Sequence, residues 1–256
     1  MLLALTRAVS PAMAACELTH LARVPIDPAV AASQHLEYER ALERLGCRVE
    51  QVPPAPALPD SVFVEDTAVV VDELAVMTRP GAESRRPEVA GVATALRRYR
   101  SLATITAPGS LDGGDVKRAG RVLYVGESGR TNEAGISQLR AHLAPLGYEV
   151  RAVRPTGCLH LKTAVTAVSD SALLLNPEWI SPALFDGFDV ITVDPAEPFA
   201  ANVVRVGGAV LTASAFPRTR RILEHRGVDV HVVDVSELAK AEGAVTCCSI
   251  LLEVDR

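Results

Sequence analysis

The sequence predicts an α/β fold made of an internal repeat, five helix–strand units closed around one axis. Three observations carry this expectation. Helical stretches hand over to short apolar strands centred on Val49, Thr104, Val150, Val190 and Val230, at separations of 55, 46, 40 and 40 residues, a period typical of repeat architectures. Each strand is followed by a loop that delivers unusual polar residues to the start of another strand. Hairpin-like strand pairs lie between the units, whereas a continuous parallel sheet joins its strands by long helical crossovers.

Taken in order, residues 1–10 read as a first strand ending at Ser10-Pro11, with Arg7 near its end. Residues 11–30 hold three prolines and no period, which reads as a long loop containing Leu18 and His20. From Ser33 to Leu45 the apolar positions Leu36, Ala41, Leu42 and Leu45 form a helical stripe, stopped by Gly46 and followed by a strand over Cys47–Val52. The same unit returns as Pro87–Tyr99 with Leu102–Thr106, and as Asn132–Leu146 with Tyr148–Val153. It returns again as Ser181–Phe185 with Phe188–Val193, and as Pro217–His225 with Val228–Val233. Additional strands are expected in Val69–Met77, at Val116 with Val122–Val125, in Ala164–Leu175 and in Val203–Leu211. Asp72-Glu73, Ser169-Asp170 and Gly207-Gly208 are the turns within them. The last apolar run, through Cys247-Cys248 to Val254, reads as a buried strand, so alternation would point the two thiols to opposite faces. Two buried structural cysteines are the alternative reading of that pair.

Composition narrows the partners. With 256 residues, 48% of them hydrophobic, the chain can bury a sizeable core. Its 26 basic and 31 acidic side chains leave a net charge of −5, which favours a cationic or zwitterionic ligand over nucleic acid or an anionic membrane. Aromatics at 4% supply no stacking platform for single strands. Five cysteines without a C-x-x-C pair or a zinc spacing fit a reduced, cytoplasmic chain. The opening Met1–Leu5, broken by Arg7, is too short for an export signal, and no apolar run reaches transmembrane length.

The strand-start loops carry the chemistry. Asp66, Asp112, His160 and Cys247 sit at corresponding points after units one, two, three and five, so a closed repeat would bring them together. A thiol, an imidazole and a carboxylate form a nucleophilic set. Asp60, Glu65, Asp66, Asp112 and Asp115 all lie among apolar or glycine residues. Buried there they need cationic partners, and a guanidinium fits carboxylates through paired hydrogen bonds. A surface acidic cluster, a metal site and a glycosidase pair are the other readings. The last leaves Cys247 without a role, and no H-E-x-x-H array accompanies the carboxylates. Arg85 and Arg130 each precede a helix in corresponding units, where they can clamp a substrate carboxylate.

The segments Pro59–Asp66, Thr78–Arg86, Leu111–Asp115, Gly126–Asn132, Leu159–Thr163, Ala200–Asn202 and Thr246–Ser249 together resemble dimethylarginine dimethylaminohydrolase, a guanidino-group-modifying family. They occur in family order and span nearly the whole chain. The resemblance implies a five-bladed α/β propeller, the pentein fold, of pseudo-fivefold ββαβ modules, with residues 1–256 forming a single catalytic domain. It implies Cys247 as nucleophile, His160 as general acid/base and Asp112 as the third catalytic carboxylate. Asp66 would bind the guanidinium, Arg85 and Arg130 the α-carboxylate, and Asp60 with the Leu18 carbonyl the α-amino group. Glu65 would support them. Glu242 stands where relatives often have aspartate, so its contact with the guanidinium is open.

The implied reaction converts Nω,Nω-dimethyl-L-arginine or Nω-methyl-L-arginine to citrulline and the free amine through a covalent thiouronium on Cys247. It requires no metal or organic cofactor. The resemblance leaves room for a homodimer. An arginine deiminase, an amidinotransferase and a catalytically silent binding propeller are the alternatives; the long helical insertion expected of a deiminase is missing from this sequence.

Overall fold

In the computed structural model, which describes residues 1–254, five three-stranded sheets repeat one path. An inner strand pairs antiparallel with a middle strand, and a crossover then returns the chain to an outer strand parallel to the middle one. The chain begins with a middle strand, β1 (Leu2–Thr6), then α1 (Pro28–Arg44) and an outer strand, β2 (Arg48–Gln51). The second blade is β3 (Ala68–Val70), β4 (Leu74–Met77), α2 (Val89–Leu96) and β5 (Ser101–Thr104). The third is β6 (Val116–Ala119), β7 (Val122–Gly126), α3 (Glu133–Leu143) and β8 (Glu149–Val153). A helical turn, α4 (Leu161–Ala164), leads into the fourth: β9 (Val165–Ala167), β10 (Ala172–Leu175), a 3-10 turn at Pro182–Leu184, and β11 (Asp189–Thr192). The fifth is β12 (Val204–Val206), β13 (Ala209–Ala213), α5 (Pro217–His225) and β14 (Asp229–Val233). After α6 (Ser236–Ala239) the chain ends in β15 (Ile250–Glu253), which pairs with β1 and supplies the first blade's inner strand. The first and last described strands thus close the ring, and the Met1 ammonium donates to the Val254 carbonyl at 2.9 Å.

Burial explains the sequence pattern. Each middle strand lies between an inner and an outer strand with neighbouring blades on its faces, and it reads as a mostly apolar run, as in Leu-Leu-Ala-Leu-Thr and Ala-Val-Leu-Thr-Ala. The outer strands keep polar residues in their exposed positions, as in Arg48–Gln51 and Glu149–Val153. The core is divided among five seams between adjacent blades. Leu3, Leu5 and Ile250 meet Ala75 and Leu96 at one; Val168 and Leu174 meet Val210 and Leu223 at another. Inner strands contact their neighbours around the axis, β15 with β3, β6 with β9 and β9 with β12. The expected fold, a five-bladed α/β propeller of ββαβ modules, is the one observed.

Three details differ from the sequence reading, each for a local reason. α1 starts five residues earlier than Ser33, because Pro28 occupies the first helical position and the Asp27 side chain accepts from the amides of Ala29 and Val30. The helix expected over Pro87–Tyr99 is shorter and is preceded by a 3-10 stretch, Glu83–Glu88, which contains Pro87. The strand expected to carry Cys247 and Cys248 begins only at Ile250. Both cysteines lie in a turn, with the Cys247 amide on the Ala244 carbonyl at 3.1 Å, so strand alternation does not decide where their thiols point.

Candidate active site

The strand starts converge at one end of the ring. The turn before β3 carries Glu65 and Asp66, the turn before β6 carries Asp112 and Asp115, and His160 caps α4 ahead of β9. Asn202 precedes β12, and Thr246 and Cys247 precede β15. Close approach of the turns leading into blades two, three and four requires glycine. A Cβ on Gly113 would lie 2.0 Å from the Glu65 carbonyl oxygen, and one on Gly114 would lie 2.7 Å from His160 Nδ1.

His160 is 5% exposed and hydrogen-bonded through Nε2 to Asp112 Oδ2 at 3.0 Å, with Nδ1 3.8 Å from Asp66 Oδ1. Asp112 is fully buried and also accepts the Gly81 amide. Asp66 accepts the Gly114 amide at 2.9 Å and the Arg85 guanidinium at 2.7 Å. Arg85 is held on its other side by Glu88, from Nε at 3.2 Å and from Nη2 at 2.9 Å. Asp115 accepts the Leu161 amide and the Ser128 hydroxyl, fixing the turn that presents His160. Beneath these groups Glu65 accepts from Lys162 at 2.7 Å and from Thr246 at 2.8 Å, while Asn202 brackets Thr246 from both sides.

The electrostatics follow from this packing. Burial alone would lower the His160 pKa, but Asp66, Asp112 and Asp115 outweigh it and raise it to about 9, so the ring is an imidazolium at neutral pH. Burial works to raise Asp66, and His160 and Arg85 reverse it, holding that carboxyl at about 2. Burial pushes Asp115 up to about 6. Burial, with Glu65 and Asp66 adding to it, pushes the Cys247 thiol up to about 12. The resting pair is therefore a thiol and an imidazolium. Alkylation of Cys247 in the free protein should climb with pH and show no plateau below about pH 10. A plateau near neutrality, read from the mass of the labelled peptide, would instead reveal a preformed thiolate.

Asp60, Asp66, Arg85, Arg130, His160, Glu242 and Cys247 line a single cavity of about 20 Å3. That is room for about one water, because the segment after Cys16 folds down over it. The amides of Thr19, His20 and Leu21 all donate to the Glu242 carboxylate, at 2.9, 2.5 and 2.6 Å. Asp60 accepts the Glu17 amide, and Arg130 donates to the Thr19 hydroxyl at 2.9 Å. Glu242 adopts φ 59°, alone among the described non-glycine residues in the left-handed region. Replacing Glu242 by alanine removes these charge-assisted bonds, worth roughly 1.5–3 kcal/mol each before solvent screening. Limited proteolysis within 18–25 should then accelerate by about tenfold or more. Unchanged cleavage would show that the carboxylate does not latch the flap.

Not every expected residue reaches the cavity. Asp112 stands behind His160 rather than on the cavity wall. Glu65 faces the far side of the axis, and Leu18 belongs to the flap without lining the cavity. Arg85, expected to clamp a carboxylate, spends most of its donors on Asp66, Glu88 and the Phe63 carbonyl. Among the described residues Arg130 has one side-chain bond, to Thr19, and is the freer clamp. Sequence reasoning missed Glu88, whose signal was its spacing of three from Arg85 within one helical turn. Asp66, Asp112 and His160 place ligand atoms within 4.8 Å of one another, a spacing a cation could use. Their carboxylates are already engaged by Arg85, Gly114 and Gly81.

No family model matches the chain. Among curated proteins, it is 44% identical over 252 residues to the N(G),N(G)-dimethylarginine dimethylaminohydrolase of Streptomyces coelicolor, covering 97% of this chain and 96% of that one. Among solved structures, it is similar to a cysteine-to-serine variant of the Pseudomonas aeruginosa enzyme complexed with citrulline, with a TM-score of 0.93, 35% identity and coverage of 97% and 98%. A histidine-to-glycine dimethylarginine dimethylaminohydrolase in adduct with S-methyl-L-thiocitrulline also matches with a TM-score of 0.93, at 34% identity, covering 98% of this chain and 100% of that one. With that degree of identity along nearly its whole length, the chain belongs to the dimethylarginine dimethylaminohydrolase family.

Proposed function

We propose that residues 1–256 act as one catalytic domain that hydrolyses Nω,Nω-dimethyl-L-arginine and Nω-methyl-L-arginine to citrulline and dimethylamine or methylamine. The observation that carries this reading is the shared cavity. A thiol, an imidazolium backed by Asp112, and the ionised Asp66 gather at one place, with Asp60 and Arg130 on the same wall. Asp66 attracts the guanidinium, Arg130 the α-carboxylate and Asp60 the α-ammonium. The flap lifts to admit the substrate, and the polar groups it occupied become the substrate's partners.

The bound cation adds positive charge beside Cys247, and the thiol gives its proton to solvent water, because the His160 imidazolium is already protonated. Sulfur attacks the guanidinium carbon. His160 then gives its proton to the departing amine as the carbon–nitrogen bond breaks, leaving a thiouronium on Cys247. Neutral His160 takes a proton from water, the hydroxide adds to the same carbon, and the carbon–sulfur bond breaks to release citrulline and restore the thiol. Each turnover consumes one water.

A product assay tests the reading, with citrulline and amine quantified from dimethylarginine and from arginine as control. Citrulline from dimethylarginine supports it. Ammonia from arginine alone would make the protein a deiminase, and no product from either would leave a binding propeller. Arg130→Ala should weaken dimethylarginine by about 2–5 kcal/mol, read as KM, while changing the KM of a decarboxylated analogue little. Equal losses for both would remove Arg130 from the carboxylate site.

A further inference from the structure

The ring axis has a second end. Below the Glu65–Lys162 pair, the inner strands enclose a separate cavity of about 290 Å3. Its wall is strongly cationic: Lys117, Arg118, Lys162 and Arg205 line it, and Glu65 is the only lining carboxylate among the described residues. Three of those cations are already matched. Lys162 binds Glu65 at 2.7 Å, Arg118 holds Asp72 through two bonds at 2.8 and 2.7 Å, and Arg205 binds Asp170. The two aspartates are solvent-facing groups at hairpin tips.

Lys117 is the exception. It is 7% exposed, its ammonium donates only to the neighbouring Arg118 carbonyl, and among the described residues no carboxylate lies within ion-pair reach. An uncompensated buried charge is costly, so such a group either gives up its proton or recruits a counter-ion. Burial first, then the charges of Lys162, Arg205 and Arg118, lowers its pKa to about 7. The proposed hydrolysis makes no use of Lys117.

We propose that this far cavity binds a small inorganic oxyanion, sulfate or phosphate, whose charge is met by Lys117 with Lys162, Arg118 and Arg205 around it. Four cationic side chains line a space large enough for such an anion with attendant water, and among the described residues only Lys117 lacks a carboxylate of its own. Binding an anion there holds Lys117 protonated, so affinity should fall as pH rises through its pKa.

Calorimetric titration with sulfate, which stays a dianion throughout, tests the site at about pH 6 and pH 8.5. The expected result is saturable binding at the lower pH, weaker by about tenfold or more in Lys117→Met and, in the unmodified protein, at the higher pH. Lys117→Met removes an isolated buried charge and does not touch the Cys247 cavity, so thermal stability and turnover should survive. A crystal soaked in selenate should show an anomalous peak beside Lys117. Absence of saturable binding, equal affinity in Lys117→Met, or a peak only at Arg130 would each overturn the proposal.

Discussion

Replacing Cys247 by serine should remove turnover by at least roughly 10^3-fold, while Cys248→Ser should stay within a few-fold of the unmodified protein. The two thiols have different surroundings. Cys247 lines the cavity that also holds His160, Asp66 and Arg130. Cys248 is fully buried in the seam between the first and fifth blades, with its sulfur 3.5 Å from the Ala244 carbonyl. Serine at 248 can donate to that same carbonyl, so it loses some packing, about 1–3 kcal/mol at most, and no chemistry. Serine at 247 keeps the shape and the reach but not the acidity or the soft sulfur. An alcohol in a site that already pushes a thiol up to about 12 has no route to the alkoxide. Citrulline release measures the loss, and mass spectrometry of trapped peptides shows which cysteine carries the substrate carbon. An adduct on Cys248, or substantial turnover in Cys247→Ser, would reverse the assignment.

Much of the ring was legible because its strands are buried in a regular way. Middle strands enclosed on both faces carry few polar residues, so they stand out as mostly apolar runs, and dipeptides such as Gly207-Gly208 mark the hairpins beside them. The meeting of Asp66, Asp112 and His160 followed from their recurring place at strand starts, since a closed repeat brings equivalent points to one axis. What stayed hidden depends on contacts between unrelated elements. The Glu242 carboxylate holds three amides more than two hundred residues earlier in the chain, and the positive φ that aims it leaves no trace in composition. Arg85 looked like a substrate clamp by its place before a helix. Only the 3-10 turn that brings Glu88 beside it shows that its guanidinium is largely committed to protein carboxylates. Alternation does not apply to Cys247 and Cys248, because the strand starts at Ile250, three residues after Cys247.

His160→Gly should separate attack on the guanidinium carbon from departure of the amine. The imidazolium is the nearest acid, raised to about 9 by Asp66, Asp112 and Asp115 in spite of burial, so at neutral pH it carries the proton an amine needs to leave. Without it, steady-state citrulline formation should fall by roughly 10^2–10^4-fold. Substrate binding should change far less, because Asp66 keeps Arg85 and the Gly114 amide and remains the anion proposed to meet the guanidinium. An analogue with a thiolate leaving group needs no acid for the first half-reaction. It should therefore still transfer its carbon to Cys247 in the glycine variant. The second half-reaction needs a base to activate water, and the same ring supplied that base, so the thiouronium should persist long enough for mass spectrometry. Added imidazole can occupy the space beside Gly114 and Asp112, and as the protonated acid it should restore part of the turnover of dimethylarginine. That rescue should fade as pH rises and the free imidazole loses its proton. Near-normal turnover of dimethylarginine in folded His160→Gly without imidazole would remove the acid/base role. An analogue adduct that is hydrolysed as fast as in the unmodified protein would place water activation on another group.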